Sequence, residues 1–187
     1  MNVIRFLSIT VIVFIFYVLI HLIQLQIYSG NFLTSEFNTI AYSIYIPHGW
    51  RLLAFLIYGY WSVPGLFFAH LYTGYINDAF VSFDLTYISA TLISTLCVPL
   101  GAVTIKNIFK NLDNSFQPTY IISLTLISAF INASLTNILR LLTRSDYVIE
   151  RFLPEFFGYI TGDTLGVVLI VLGYIGIRRL FFLSVSK

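Results

Sequence analysis

"IYIPHGWRLLAFLIYG", residues 44–59, is an apolar run that holds Pro47, His48, Gly49 and Arg51 within five positions. Proline and glycine are the poorest residues for a helix interior. An arginine at the centre of a bilayer costs about 2.5–3.5 kcal/mol on insertion scales. Whether such a stretch belongs to a membrane segment is decided by the chain around it.

That chain has 187 residues, 58% of them hydrophobic and only 10% charged, with a mean hydropathy of +0.90. Soluble domains are about 45–50% apolar and about 25% charged. Too little polar surface is available here to cover a water-exposed globule, so the expected solvent is lipid. In lipid only helices or a closed barrel satisfy every backbone group. The apolar runs are continuous and not alternating, which favours an all-α integral membrane protein over a barrel.

Six spans are expected, at about 3–27, 38–60, 63–77, 85–105, 119–142 and 153–177, forming one polytopic domain over 1–187. The second is expected to be interrupted at Pro47 and Gly49. The third is short for a span, which needs about 20 residues. Broken or short segments are pointers to binding sites in membrane proteins. The first span follows Arg5, is too long for a signal-peptide core and has no small-residue cleavage pattern, so it reads as retained.

Lys and Arg set the orientation. With a cytoplasmic N-terminus the inner ends hold Arg5, Lys106, Lys110, Arg178, Arg179 and Lys187, and the outer loops hold only Arg144 and Arg151 among basic residues. The acidic residues Glu36, Asp78, Asp84, Asp146 and Glu150 fall outside as well. Both termini are therefore expected in the cytoplasm of a plasma (inner) membrane protein. Loops such as 28–37 and 143–152 leave no room for a soluble domain, and none is expected after residue 177. Tyr and Trp near span ends, among them Tyr28, Tyr60, Trp61, Tyr87, Tyr120 and Tyr147, fit an interfacial belt.

Ionisable residues inside a span are candidates for function. Arg51 and Asp163 lie about 15–20 Å deep in spans two and six, and a contact between them, or a shared polar cavity, is expected. His48 lies one turn from Arg51, and Asn132 falls at mid-depth in span five. These four form the candidate ligand site. His21, His70 and Asn137 read as interhelical hydrogen-bonding groups. Gly158, Gly162 and Gly166 recur every four residues in span six and read as a groove for close helix packing.

The residues also exclude several classes. No basic cluster points to nucleic acid. Cys97 stands alone in an apolar run, so no intrachain disulfide is expected and its reading is a buried hydrophobe. The three histidines lack the i, i+4 spacing of a helical metal site, so no metal or other cofactor is expected. There is no G-x-S-x-G, no H-E-x-x-H and no aspartate pair at matched depth, so an enzyme is not expected.

Three motifs carry a resemblance. Pro47-His48-Gly49, the stretch Gly59-Tyr60-Trp61-Ser62-Val63-Pro64-Gly65, and Gly162-Asp163-Thr164-Leu165-Gly166 resemble the pattern of the first-described bacterial membrane-associated sensor domain family. That family stands at the N-termini of histidine kinases and diguanylate cyclases, and the resemblance covers about 38–177. It implies an integral-membrane sensor for signal transduction. The chain departs from the pattern in being shorter, in lacking a cytoplasmic output domain after Arg179, and in having no proline after the last motif. The expected function is thus a sensor-like module that binds a small ligand or membrane component and signals through a membrane or cytoplasmic partner protein. A small transporter or substrate-binding membrane subunit is the alternative. A structural subunit of a membrane complex is the third reading.

Overall fold

The computed structural model describes residues 2–29, 44–76, 85–109, 117–144 and 147–185, with side chains described as far as residue 27 in the first segment and 177 in the last. Residues 30–37 of the expected loop at 28–37, with Glu36, together with Asp78, Asp84, Lys110, Asp146 and Lys187, lie outside the described residues, as do the side chains of Tyr28, Arg178 and Arg179.

Among the described residues all regular structure is helical. The α-helices are α1 (Val3–Ser29), α2 (Ile46–Tyr58), α3 (Val63–Ile76), α4 (Leu85–Ile108), α5 (Pro118–Thr143) and α6 (Phe152–Val185). Five helical stretches are long and apolar enough to cross a membrane: Val3–Ile27, Ile46–Ile76, Leu85–Ile108, Pro118–Thr143 and Ile149–Ile177. This is consistent with a multi-pass membrane protein. Large apolar side chains such as Leu19, Phe68, Phe130 and Leu172 are exposed around the outside, as a lipid-facing surface requires.

The second of these stretches folds back on itself. Gly59, at φ +60°, ends α2 in the backbone region that glycine enters freely. A 3₁₀ turn over Gly59–Ser62 follows, closed by Ser62 Oγ–H donating to the Gly59 carbonyl at 2.8 Å. Contacts with α1 record the reversal. Trp50 on α2 lies against Val13 and Phe16, and Trp61 in the turn lies against Phe6. On α3, Gly65 then lies against Thr10 and Val13, and His70 against Tyr17. So α2 runs antiparallel to α1 and α3 runs back beside it. At 13 and 14 residues, each is about 20 Å long, short of the ~30 Å hydrocarbon core.

The interruption expected at Pro47 and Gly49 is replaced by a helix start. Pro47 occupies the first turn of α2, where a missing N–H breaks no helical bond, and the helix is continuous through Gly49 to Tyr58. The start is buried, and its backbone groups find partners on other helices. Tyr45 N–H donates to the Gly162 carbonyl at 3.0 Å. The Gln24 amide takes both sides of one backbone step, accepting from Ile46 N–H at 3.1 Å and donating to the Ile44 carbonyl at 3.3 Å.

Helix α2 is the centre of the bundle, buried continuously from Pro47 to Leu56. One side packs on α1 and α3 through Val13, Tyr17, Trp50, Leu53, Ala54, Leu66 and Ala69. The other meets α4, α5 and α6 through Leu52, Phe55, Leu56, Cys97, Val98, Leu124 and Val167. Cys97 is buried there, as its sequence context indicates, with its thiol against the Ser94 carbonyl. Helices α3 to α6 continue as antiparallel neighbours, so α6 returns beside α2 in the same direction. The start of α1 and the end of α6 consequently lie on one face of the bundle.

Candidate functional site

The α2–α6 contact sets the site. A Cβ on Gly49 would run into the Gly166 carbonyl oxygen and come within 2.7 Å of Ile170 Cγ1. A Cβ on Gly166 would run into the Tyr45 carbonyl. Backbones approach this closely only where side chains are missing. The glycine groove of α6 is therefore used, but not along its whole length. Gly166 meets Gly49, and Gly162 accepts the Tyr45 N–H. A Cβ on Gly158 would meet nothing within 4 Å, so Gly158 is not a packing position. It lines a cavity instead.

One turn from the crossing, α2 presents Arg51 and α6 presents Asp163, both fully buried. They do not pair directly; the acid–base contacts among the described residues are His48–Asp163 and Arg140–Glu155. Arg51 is held by neutral partners. Its Nη2 donates to the Tyr17 hydroxyl at 3.2 Å and the Tyr45 hydroxyl at 3.1 Å, and the guanidinium lies 5.8 Å and 5.2 Å from their ring centres. Aromatic faces compensate part of the desolvation of a buried cation. Its other terminal nitrogen, Nη1, is buried without a hydrogen-bond partner among the described residues.

Asp163 is anchored through one oxygen only. Asn132 Nδ2 donates to Oδ2 at 2.8 Å, and His48 Nδ1 comes to 3.4 Å from the same oxygen. His48 is fixed from its far side by Ser128 Oγ, 3.3 Å from Nε2. Oδ1 has no partner. Asn132 also accepts from Ser94 Oγ at 3.4 Å, which joins α4, α5 and α6 in one polar layer.

Arg51, Asp163, Asn132, Tyr45 and His70 border a cavity of about 810 Å³. Thr136, Gly158 and Tyr159 line its middle, with Arg140 and Glu155 above them, and it reaches Thr86, Thr143 and Arg144 at the helix ends. Along α5, eleven residues separate Asn132 from Thr143, a rise of about 17 Å. The cavity is thus a one-sided vestibule with the two charges at its inner end.

Of the four candidate ligand residues, Arg51, Asp163 and Asn132 line this cavity, and His48 stands behind Asp163. The shared polar cavity is found; the direct Arg51–Asp163 contact is not. His70 joins the wall, with Nδ1 3.3 Å from Thr91 Oγ1, whereas His21 and Asn137 do not line it. Asn137 links helix to loop, donating to the Ala133 carbonyl and accepting from the Tyr147 hydroxyl at 2.6 Å. Sequence reasoning missed Tyr17, Tyr45 and Gln24. Gln24 carried a usable signal: an amide in an apolar span, on the same helical face as Val13 and Tyr17.

Among the described residues no group of three His, Cys, Asp or Glu is placed to hold a metal. Compared with protein-family models, curated proteins and solved structures, the chain finds no match in any of the three.

Proposed function

We propose that the chain is a membrane sensor module that binds a small ligand in the one-sided cavity and passes binding on through the α2–α6 contact to a partner protein. One observation carries this reading. Two buried groups of opposite charge each leave one atom unpartnered at the inner end of a cavity that reaches the helix ends. Buried polar groups in folded proteins are nearly always satisfied. A pair left unsatisfied in two residues that border one cavity supports reading it as a ligand site.

In this reading the chain crosses a bacterial inner membrane six times, with α2 and α3 contributing the second and third crossings. Both termini lie in the cytoplasm and the cavity opens outward, in line with the basic residues that favour the α1-start face. The motif resemblance to bacterial membrane sensor domains supports the same assignment, since Pro47–Gly49 and Gly162–Gly166 are the segments that meet at the site. Helix α6 bears Asp163 and continues to Val185 on the opposite face, a direct mechanical route to a cytoplasmic or membrane partner.

A second reading, a small transporter or substrate-binding subunit, draws on the same one-sided cavity, which resembles half of an alternating-access cycle. Ligand-dependent thermal shift of the purified protein, with Arg51→Gln and Asp163→Asn alongside, tests binding. The sensor reading fails if neither substitution alters any ligand response in a still-folded protein. Uptake into vesicles that both substitutions abolish would favour transport.

A further inference from the structure

The two unpartnered atoms at the cavity floor differ in chemistry. Arg51 Nη1 is a guanidinium donor and Asp163 Oδ1 a carboxyl oxygen. Each is fixed from behind by side chains of other helices: Tyr17 and Tyr45 hold Arg51, and Asn132 holds Asp163. The floor is therefore preorganised, and both residues border the same cavity.

We infer that the occupant is a small zwitterion, an amino-acid-like molecule whose carboxylate meets Arg51 and whose ammonium meets Asp163. The inference rests on the reading of the cavity as a ligand site. The reasoning is electrostatic. A simple anion satisfies Arg51 but brings a second negative charge beside the Asp163 carboxylate. A simple cation does the reverse beside Arg51. Either one adds net charge to a buried region, where unpaired charge is most expensive. A neutral ligand can hydrogen-bond to both groups but neutralises neither charge. A zwitterion neutralises each locally and adds no net charge.

The rest of the cavity agrees. Between floor and mouth it presents the uncharged Thr136, Gly158 and Tyr159, and the bare Cα of Gly158 leaves room for the body of a ligand. Thr136 Oγ1 is a further buried polar atom without a hydrogen-bond partner among the described residues. Higher up, Arg140 and Glu155 are already paired with each other and do not compete for either end.

The test uses the full chain in detergent or nanodiscs, with glycine, β-alanine, γ-aminobutyrate, 5-aminovalerate and L-alanine as probes. Acetate, butyrate, ethylamine and butylamine are the one-ended controls. Thermal shift and calorimetry are expected to show at least one amino acid binding about tenfold or more tighter than its matched acid and amine. Arg51→Gln and Asp163→Asn should each abolish that preference. Gly158→Leu, which leaves the floor intact and fills the body of the cavity, should block binding in a protein that melts normally.

Butyrate binding as well as γ-aminobutyrate, with Asp163→Asn inert, would make this an anion site and overturn the zwitterion while leaving the ligand site standing. The mirrored result with butylamine would make it a cation site. Binding by none of the probes at about 10 mM also overturns the inference. The underlying reading has its own arm. Gly158→Cys in a Cys97→Ser background should react with a small water-soluble thiol reagent, and a failure to react removes the cavity as a ligand site altogether.

Discussion

Replacing Gly49 by alanine puts one methyl group into the closest approach of two helices, and its cost can be worked from the geometry. The new Cβ would sit 2.7 Å from the Gly166 carbonyl carbon, where carbon atoms rest at about 3.5–4.0 Å. The obstacle is backbone, so no side-chain rotation relieves it. Helices α2 and α6 must part by about 1 Å. Overpacking of this kind costs about 1–3 kcal/mol. The same movement stretches the Tyr45 N–H to Gly162 carbonyl bond from 3.0 Å, and a buried backbone group left unpaired costs about 1–3 kcal/mol more. The sum is a loss of about 2–6 kcal/mol. Gly166→Ala, which meets the Tyr45 carbonyl, belongs in the same range. Gly158→Ala and Gly173→Ala meet nothing within 4 Å and should be neutral, or stabilising by about 0.4–1 kcal/mol through the unfolded state. Unfolding titrations in mixed micelles, followed by the fluorescence of Trp50 and Trp61, would rank the four. If Gly49→Ala and Gly166→Ala unfold no more readily than Gly158→Ala, the close approach of α2 and α6 is wrong.

Gln24→Leu should cost about 1–3 kcal/mol in the same titration, because it removes the amide that accepts from Ile46 N–H at the buried helix start and donates to the Ile44 carbonyl. Tyr87→Phe should cost about 1–2 kcal/mol, since the hydroxyl bonds the His70 and Leu71 carbonyls at 2.7 Å and 3.1 Å and ties α4 to α3. Arg140→Gln should cost less than about 1 kcal/mol, as its pair with Glu155 is about one-third exposed. A loss several times larger would place that pair in a drier setting than the cavity wall. Orientation is open to thiol labelling in intact cells: Thr143→Cys should react with an impermeant reagent and Asn107→Cys should not. The opposite pattern would invert the proposed topology.

Several elements were legible in the sequence because lipid imposes simple rules. Continuous apolar runs had to be helices, and the runs at 3–27, 85–105 and 119–142 correspond closely to α1, α4 and α5. The polar positions Arg51, Asp163 and Asn132 stood out because each is costly in lipid, and all three border one cavity. What sequence could not give was pairing. Whether Pro47 breaks a helix or begins one depends on what satisfies the backbone around it. Here the partners come from Gln24 on α1 and Gly162 on α6, distant in sequence. Likewise Gly158, Gly162 and Gly166 look equivalent as a four-residue repeat. Only the course of α2 decides that Gly166 is a crossing point and Gly158 an open wall.

Arg51 is the residue on which a ligand site, and not a helix lock, is proposed. Had it paired with Asp163, the two charges would have cancelled and the pair would need no further partner. Two tyrosine hydroxyls and two ring faces take its place, enough to hold a guanidinium without neutralising it. Asp163 is restrained in the same incomplete way, through Oδ2 alone. The separation between the charges is set by the helices that carry them, and those meet at Gly49 and Gly166, within a turn of both. In the proposed function, a ligand bridging Arg51 and Asp163 would act across this close α2–α6 contact. It would shift the balance of α2 against α6 only by the free energy with which it favours one packing over another. The "PHGWR" segment serves both ends of that coupling: its glycine sets the distance between helices, and its arginine supplies one of the two charges that a ligand would draw together.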